Sequence, residues 1–251
     1  MTGHEYLLRV LETQKMPARD LATLRELRLE IEGVLEREYS RNNPRFYYGG
    51  SYGKKTMIRE SYDLDIVIYF PFQTDYTLQT IYGSVHQTLL KSGYRVNPKT
   101  VSLQLLYENG FHIDVVPGRA HDATYQYATL YKNKKSSTMQ TSLKVHIDSV
   151  RPYRDIIKLM KLWRIRRSLE WKTFAIEQTV IRALKKYKPT DDYAGCLFSI
   201  FQFIQDNFSQ ICLVDPANSS NIIEMSEATR NAVKQAAINS LKAQNWNDII
   251  W

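Results

Sequence analysis

Three aspartates stand where β-strands would present them together. Asp63 and Asp65 precede the apolar run IVIYF, and Asp114 lies inside the run FHIDVVP. Because side chains two residues apart on a strand point to the same face, the first two carboxylates share a face. At about 4 Å and an effective dielectric near 20, two such charges repel by roughly 4 kcal/mol. The arrangement therefore predicts a cation between them.

The predicted cation is magnesium. If the strand of Asp114 pairs beside the strand of Asp65, three carboxylates converge on one face. Mg²⁺ prefers oxygen ligands and accepts substrate phosphates as the remaining ones. Two such ions, with Mn²⁺ as a substitute, can clamp the attacking and leaving oxygens of a phosphoryl transfer. Taken singly, Asp-x-Asp is also typical of a surface turn, and Asp114 of an aspartate bound by a backbone N–H.

A glycine-serine pair comes just before the aspartate strand. Gly50 permits a close backbone approach, and Ser51 adds a hydroxyl, so the turn could form a nest of N–H groups for phosphate oxygens. Lys54 follows on the same turn. The P-loop pattern is absent, and Gly-Ser alone is also a common turn. We expect Gly50, Ser51 and Lys54 to bind the phosphates of a triphosphate ligand.

The hydrophobic pattern indicates an α+β front half and a helical rear half. Asn109-Gly110 between two apolar alternating runs predicts a β-hairpin. Apolar residues spaced by three and four predict helices. The expected strands are 63–70, 100–107 and 111–117, and the expected helices are 18–40, 78–92, 153–168, 173–187, 193–208 and 226–243. The segment LVDPANSSN is expected to be a loop, and the domains to be 1–150 and 151–251.

The composition favours a globular protein with anionic partners. Of 251 residues, 43% are hydrophobic, and the net charge is +8. No apolar run reaches the ~20 residues of a membrane span, and the N-terminus lacks the apolar block of a secretory signal. With two cysteines in no metal or disulfide pattern, we expect a cytoplasmic protein. The segment 151–172 is rich in Lys and Arg, which is typical of a solvated helix face but also of a surface that binds nucleic acid or an oligonucleotide product.

The joint pattern resembles a known superfamily. Gly50-Ser51, eleven residues, Asp63-x-Asp65 and a later Asp114 resemble the DNA polymerase β-like nucleotidyltransferases. The stretches GSYGKKTMIRESYDLDIVIYF and FHIDVVPGR are similar to the branch that contains 2′-5′-oligoadenylate synthase and cyclic GMP-AMP synthase, whose bacterial members are the CD-NTases. The implied fold is a mixed sheet with a long N-terminal spine helix, followed by an α-helical C-terminal lobe. The resemblance implies that 1–150 is the nucleotidyltransferase catalytic core and that 151–251 is the helical lobe that completes the nucleotide-binding cleft.

The resemblance also implies roles for residues of the helical half. RDIIKLMKLW is similar to the helix whose lysine reaches the donor phosphates, which implies Lys161 and more loosely Lys158. KTFAIEQTVIRAL is similar to the helix whose start holds the nucleobase, which implies Thr173 and Phe174. Asp215 of the Asp-Pro loop is expected to be a turn or cap residue.

The implied activity is a metal-dependent joining of nucleoside triphosphates, with ATP or dATP as substrate. Asp63 and Asp65 would hold the ion that bridges the donor triphosphate, and Asp114 would help deprotonate the acceptor hydroxyl. The product would be a short linear or cyclic signal in antiviral or antiphage defence, read by a downstream effector. No Cys/His cluster follows the Asp114 strand, so the zinc insertion of the vertebrate enzyme is missing.

Three other functions fit the same residues. A template-independent RNA 3′-end nucleotidyltransferase, of the CCA-adding or poly(A) kind, shares the three aspartates. So does an enzyme that nucleotidylates a protein or a small molecule, although such minimal enzymes carry an alanine-arginine pair where this chain has Tyr52-Gly53-Lys54. A catalytically dead fold that binds nucleic acid is the last alternative.

Overall fold

The computed structural model describes residues 1–108, 111–187 and 192–251. Its helices are α1 Gly3–Thr13, α2 Ala18–Tyr39, α3 Gly50–Lys54, α4 Leu78–Lys91, α5 Leu143–Val150, α6 Arg154–Arg166, α7 Thr173–Tyr187, α8 Tyr193–Asn207 and α9 Glu227–Lys242. Its strands are β1 Arg45–Tyr48, β2 Leu64–Phe70, β3 Val96–Pro98, β4 Leu103–Leu106, β5 His112–Ala120, β6 Ala128–Lys132, β7 Ser137–Thr141, β8 Val214–Asp215 and β9 Asn218–Ile222.

The chain forms two compact units, each built from separate stretches of sequence. The sheet unit contains residues 16–55 and 62–148, and the helical unit contains residues 1–15, 56–61 and 149–251. These are units of packing, and the domain bounds expected from the sequence, 1–150 and 151–251, stay a prediction beside them.

The sheet unit is built on a mixed sheet with the strand order β1-β2-β5-β4-β3. β5 runs parallel to β2, whereas β1 pairs antiparallel with β2, and β4 with β5. The hairpin expected between β4 and β5 is confirmed by this pairing, and its turn residues Asn109 and Gly110 lie outside the described residues. β6 pairs with the far end of β5, and β7 with β6.

Two helices cover this sheet unit. α4 contacts α2, β5 and β6. The hydroxyl of Tyr39 on α2 lies 2.7 Å from Ser84 Oγ and 3.0 Å from Thr88 Oγ1, so a buried polar contact fixes α2 against α4. Leu64 and Ile66 of β2 are fully buried, while Asp65 between them is half-buried. At this end of β2 the burial therefore alternates, and the carboxylate of Asp65 lies on the face opposite Leu64 and Ile66.

The helical unit has an aromatic core. The fully buried side chain of Trp163 packs 5.1 Å from Phe201 and 6.3 Å from Trp171, measured between ring centroids. Its indole N–H donates to Ser240 Oγ on α9, at 2.9 Å. A buried indole N–H needs such a partner. The contact therefore ties α9 to α6 as well as filling the core.

One expectation for the rear half is wrong in detail. The segment expected to be a loop contains a two-stranded hairpin, in which β8 pairs antiparallel with β9. Buried Asp215 turns the chain, because its Oδ1 accepts from the backbone N–H of Ala217 at 2.8 Å. The aspartate at a turn is thus as expected, but the residues beside it pair as strands.

Replacing Ser240 with alanine tests the aromatic core. The change leaves the buried indole N–H of Trp163 without its acceptor, so we expect Ser240→Ala to lower the free energy of unfolding by about 1–3 kcal/mol. Urea denaturation would measure it. The exposed Ser220 provides the matched control, and Ser220→Ala should stay within about 0.5 kcal/mol of the wild type. Equal stability of the two variants would contradict this role.

Candidate active site

The parallel pairing of β2 with β5 brings two of the predicted aspartates together. Asp65 and Asp114 are direct partners in the register of the two strands. Neighbouring strands lie about 4.8 Å apart, so the two carboxylates are neighbours on one face. Asp63 comes just before β2, two residues from Asp65, and its Oδ2 lies 3.9 Å from His112 Nε2. The strand pairing expected from the sequence is therefore confirmed, while the roles of the three carboxylates stay predictions.

Opposing effects act on the pKa of Asp114. Burial raises the pKa of its carboxyl group, and the charge of Asp63 raises it further. A hydrogen bond from Ser102 Oγ, 3.1 Å from Asp114 Oδ1, acts in the opposite direction. So do the charges of His112 and Lys99. A partly buried carboxylate beside other carboxylates is stabilised by a bound cation.

Glycines bring a turn of backbone directly onto Asp65. The N–H of Gly49 donates to the carbonyl oxygen of Asp65 at 2.8 Å. Gly50 has φ +46°, and a Cβ at this position would overlap the Oδ2 of Asp65. A Cβ on Gly53 would overlap the carbonyl oxygen of Tyr48. The backbone of the turn can therefore approach Asp65 and Tyr48 this closely only because positions 50 and 53 carry no side chain.

Ser51 lies on this glycine turn. Its Oγ is buried, and among the described residues it has no hydrogen-bond partner. A buried hydroxyl without a partner costs free energy that a ligand can recover. Lys54 on the same turn is also buried, and it already has an interaction partner in the protein. The orphaned hydroxyl fits a phosphate oxygen at this turn.

The two lysines implied by the resemblance contact protein groups within the helical unit. Lys161 is 3% exposed, and its Nζ donates to the carbonyl oxygen of Thr56 at 3.0 Å. Lys158 Nζ donates to Asp155 Oδ1 at 3.0 Å. Burial raises the pKa of Asp155, but the hydrogen bonds from Lys158 and Tyr193, together with the charges of Lys158 and Arg154, lower it more. The phosphate roles of Lys158 and Lys161 stay predictions.

The expected nucleobase residues begin α7. Thr173 Oγ1 accepts a hydrogen bond from Arg164 Nη1 at 3.4 Å. The same guanidinium nitrogen donates to the carbonyl oxygen of Trp171 at 3.1 Å. Phe174 is half-buried and packs against the core of the helical unit. Arg164 thus fixes the start of α7, and the nucleobase roles of Thr173 and Phe174 stay predictions.

Sequence reasoning missed two residues around the carboxylates. Ser102 binds Asp114, and His112 lies near Asp63. His112 precedes Asp114 by two residues on β5, so the alternation of the strand was a signal that could have found it. No comparable signal marks Ser102, because a loop places it.

The carboxylates and the turn fit a divalent cation with a phosphate ligand. Asp63, Asp65 and Asp114 supply oxygen donors, which Mg²⁺ prefers, and Ser51 supplies a free hydroxyl. Across residues 1–108, 111–187 and 192–251, no group of three His, Cys, Asp or Glu side chains is gathered closely enough to hold a metal by itself. The oxygen donors are of the kind that Mg²⁺ prefers, and which of them bind the ion stays a prediction.

Comparison with known proteins finds no matching family model. A cyclic AMP-AMP-AMP synthase of Escherichia coli (strain MS 115-1) is 22% identical over 200 residues, 72% of this chain and 62% of that protein. The structure of E. coli MS115-1 CdnC with ATP superposes with a TM-score of 0.76 at 19% identity, covering 96% of this chain and 91% of the other. For the Bradyrhizobium diazoefficiens CD-NTase CdnG with GTP the TM-score is 0.76 at 13% identity, covering 94% and 89%.

The chain has the fold of these bacterial CD-NTase structures, and part of its sequence is similar to the synthase. The fold class and the resemblance predicted from the sequence are therefore confirmed. The sequence match spans 62% of the length of the synthase, so activity, substrates and partners are taken up as proposals. Among the described residues, no helix has both the length and the apolar character to cross a bilayer.

Replacing Gly50 tests whether the turn positions Asp65. The new Cβ would overlap the carboxylate at a backbone φ of +46°, so Gly50→Ala should displace Asp65 and weaken Mn²⁺ binding by about 10- to 100-fold. Titration calorimetry with Mn²⁺ alone would measure it.

Gly83 on α4 is the matched control, since a Cβ there meets nothing within 4 Å. Gly83→Ala should leave Mn²⁺ affinity unchanged and raise the free energy of unfolding by about 0.5–1 kcal/mol, as expected inside a helix. Wild-type Mn²⁺ affinity in a folded Gly50→Ala variant would show that the turn does not position the carboxylate.

Proposed function

We propose that the chain is a metal-dependent nucleotidyltransferase that joins nucleoside triphosphates into a short linear or cyclic oligonucleotide. The observation that carries the proposal is the register of Asp65 with Asp114, together with the close approach of the glycine turn to Asp65. The relationship to a cyclic AMP-AMP-AMP synthase supports it.

The carboxylates and the turn have separate tasks in this reaction. Asp63, Asp65 and Asp114 would hold two Mg²⁺ ions, or Mn²⁺ in their place. When bound, the ions supply positive charge that stabilises the transferring phosphoryl group and its leaving pyrophosphate. Ser51 Oγ and the N–H groups of the turn would bind the phosphates of the donor, ATP or dATP, as a preformed set of donors.

The acceptor hydroxyl reacts at the α-phosphorus of the donor. A ribose oxygen forms the new P–O bond, and the bond from the α-phosphorus to the pyrophosphate oxygen breaks. Asp114 would help to remove the hydroxyl proton, because it lies beside Asp65 in register and Ser102 fixes its Oδ1. The nucleotide-binding roles that the resemblance implies for Lys158, Lys161, Thr173 and Phe174 are part of the same proposal.

The biological setting is part of the same proposal. The oligonucleotide would act as a signal in antiviral or antiphage defence, inside the cytoplasm, where a downstream effector reads it. The basic segment 151–172 is a further place where an oligonucleotide product could bind.

The decisive experiment incubates the purified chain with Mg²⁺ and each labelled NTP and dNTP, singly and mixed, with and without RNA. Chromatography and mass spectrometry would identify the products. Asp65→Asn and Asp114→Asn remove charge at the predicted metal site, so we expect each to lower the rate by at least about 10²- to 10³-fold. The exposed Asp75 provides a control with the same change, and Asp75→Asn should retain the wild-type rate.

Each possible product distinguishes between the functions. Oligomers or rings formed from nucleotides alone, and lost in Asp65→Asn, would establish the signal synthase. Products formed only on added RNA would favour the 3′-end nucleotidyltransferase. Equal rates in Asp65→Asn and Asp75→Asn would contradict the catalytic role of the aspartates.

A further inference from the structure

Four lysines of the sheet unit form a cluster that we name the lysine rim: Lys99, Lys132, Lys134 and Lys135. Lys134 and Lys135 are exposed, and the other two are half-buried. Within the described part of the chain, none of the four forms a salt bridge. The surrounding sequence offers no local carboxylate, because neither 76–107 nor 123–147 contains Asp or Glu.

The topology of the sheet places the lysine rim beside the catalytic strand. β4 and β6 pair with β5, β4 through Leu103 opposite Val115 and β6 through Leu130 opposite Gly118. β2 occupies the other edge of β5. The start of β4 and the end of β6 therefore meet along one edge of β5, and Lys99 and Lys132 belong to the chain at that meeting point.

Hydrogen bonds connect the rim to Asp114. The N–H of Asn133 donates to the carbonyl oxygen of Thr100 at 2.8 Å, which joins the turn after β6 to the loop before β4. Ser102, at the end of that loop, donates to Asp114 Oδ1 at 3.1 Å. The hydroxyl of Tyr82 lies 3.0 Å from the carbonyl oxygens of both Lys99 and Ser102, so α4 supports the loop from below.

The carboxylate pair therefore lies between two sets of phosphate-binding groups. The strand order is β1-β2-β5-β4. The glycine turn with Ser51 adjoins β2 on the side of β1, where Gly49 binds the backbone of Asp65. The lysine rim adjoins β5 on the side of β4 and β6. If a donor triphosphate occupies the glycine turn, the lysine rim remains available to a second anionic molecule.

We propose that the lysine rim binds the phosphodiester backbone of the single-stranded oligonucleotide that accepts the next nucleotide. Ammonium groups are compact partners for phosphates and carry no base preference. These lysines belong to segments that meet along the edge of β5, the strand that carries Asp114, so they would hold the strand whose hydroxyl reacts there. The inference rests on the proposed function, since it names the second substrate of the same site.

Binding can be measured apart from catalysis. Fluorescence anisotropy would follow a labelled linear triadenylate on the full chain, with Ca²⁺ in place of Mg²⁺, between 50 and 200 mM salt. A 20-nucleotide single strand and a 20-base-pair duplex would be tested beside it. For each lysine–phosphate contact on a single strand, the slope of log K against log[salt] is about −0.7.

Two double variants with the same change of charge provide the comparison. In Lys134→Gln/Lys135→Gln we expect triadenylate affinity at 50 mM salt to fall about tenfold or more, and the salt slope to become shallower by about 1.4. Lys91→Gln/Lys242→Gln removes two exposed lysines elsewhere and should bind as the wild type does. With Mg²⁺, the first variant should also release a larger share of dinucleotide, while its KM for ATP stays unchanged.

Several outcomes would contradict the binding role proposed for the lysine rim. Wild-type affinity in Lys134→Gln/Lys135→Gln would do so, and so would an equal loss in both double variants, which would reflect net charge alone. Tighter binding of the duplex than of either single strand would also count against it. Rim-dependent binding of triadenylate by a chain that makes no product from nucleotides would support the rim while contradicting the proposed synthase.

Discussion

The parallel pairing of β2 with β5 is the constraint on which the rest of the site depends. It sets Asp65 opposite Asp114, and it does so with fully buried residues on both strands, so the register cannot slip by one residue without turning every side chain over. The apolar face of β2 thus positions the polar one. The burial energy of the sheet holds two carboxylates together against their mutual repulsion.

The same pairing decides which groups can approach the carboxylates. On the β1 side the chain must pass close to Asp65, and glycine at positions 49 and 50 makes this possible. On the β4 side a loop held by Tyr82 brings a hydroxyl to Asp114. Backbone and hydroxyl donors therefore surround the pair from both edges. The two flanks of the pair differ, with the glycine turn on one side and the lysine rim on the other.

The sequence predicted the long amphipathic helices and the central strands well, because their patterns are strong. α2 was expected over 18–40, and α7 over the residues at which it occurs. Short strands such as β1, β6 and β7 were not predicted. RFYY follows a proline and runs into two glycines, and β7, STMQT, has a single apolar residue, so neither segment shows the apolar alternation of a strand. β1 pairs with β2, β6 with β5 and β7 with β6, so each of these short segments depends on its partner to form a strand.

The candidate site shows the same division. The aspartates and the Gly-Ser pair were found because their residue types and spacing carry the chemistry directly. The burial of Lys161 against Thr56 could not be predicted, since it depends on a segment 105 residues away. A basic helix looks alike in sequence whether its lysines face phosphate or a carbonyl group. Tertiary structure alone separates the two.

The segment 56–61 makes the two units interdependent in sequence, because it interrupts the sheet unit and belongs to the helical unit. It lies between the glycine turn and Asp63 in sequence, yet it packs into the helical unit. There, Arg166 and Gln14 both bind Glu60, and Tyr6 of α1 donates to the carbonyl oxygen of Ile250. No single cut in the chain yields either unit intact. A gene encoding residues 149–251 alone would lack α1 and this segment, so it would not encode the whole helical unit.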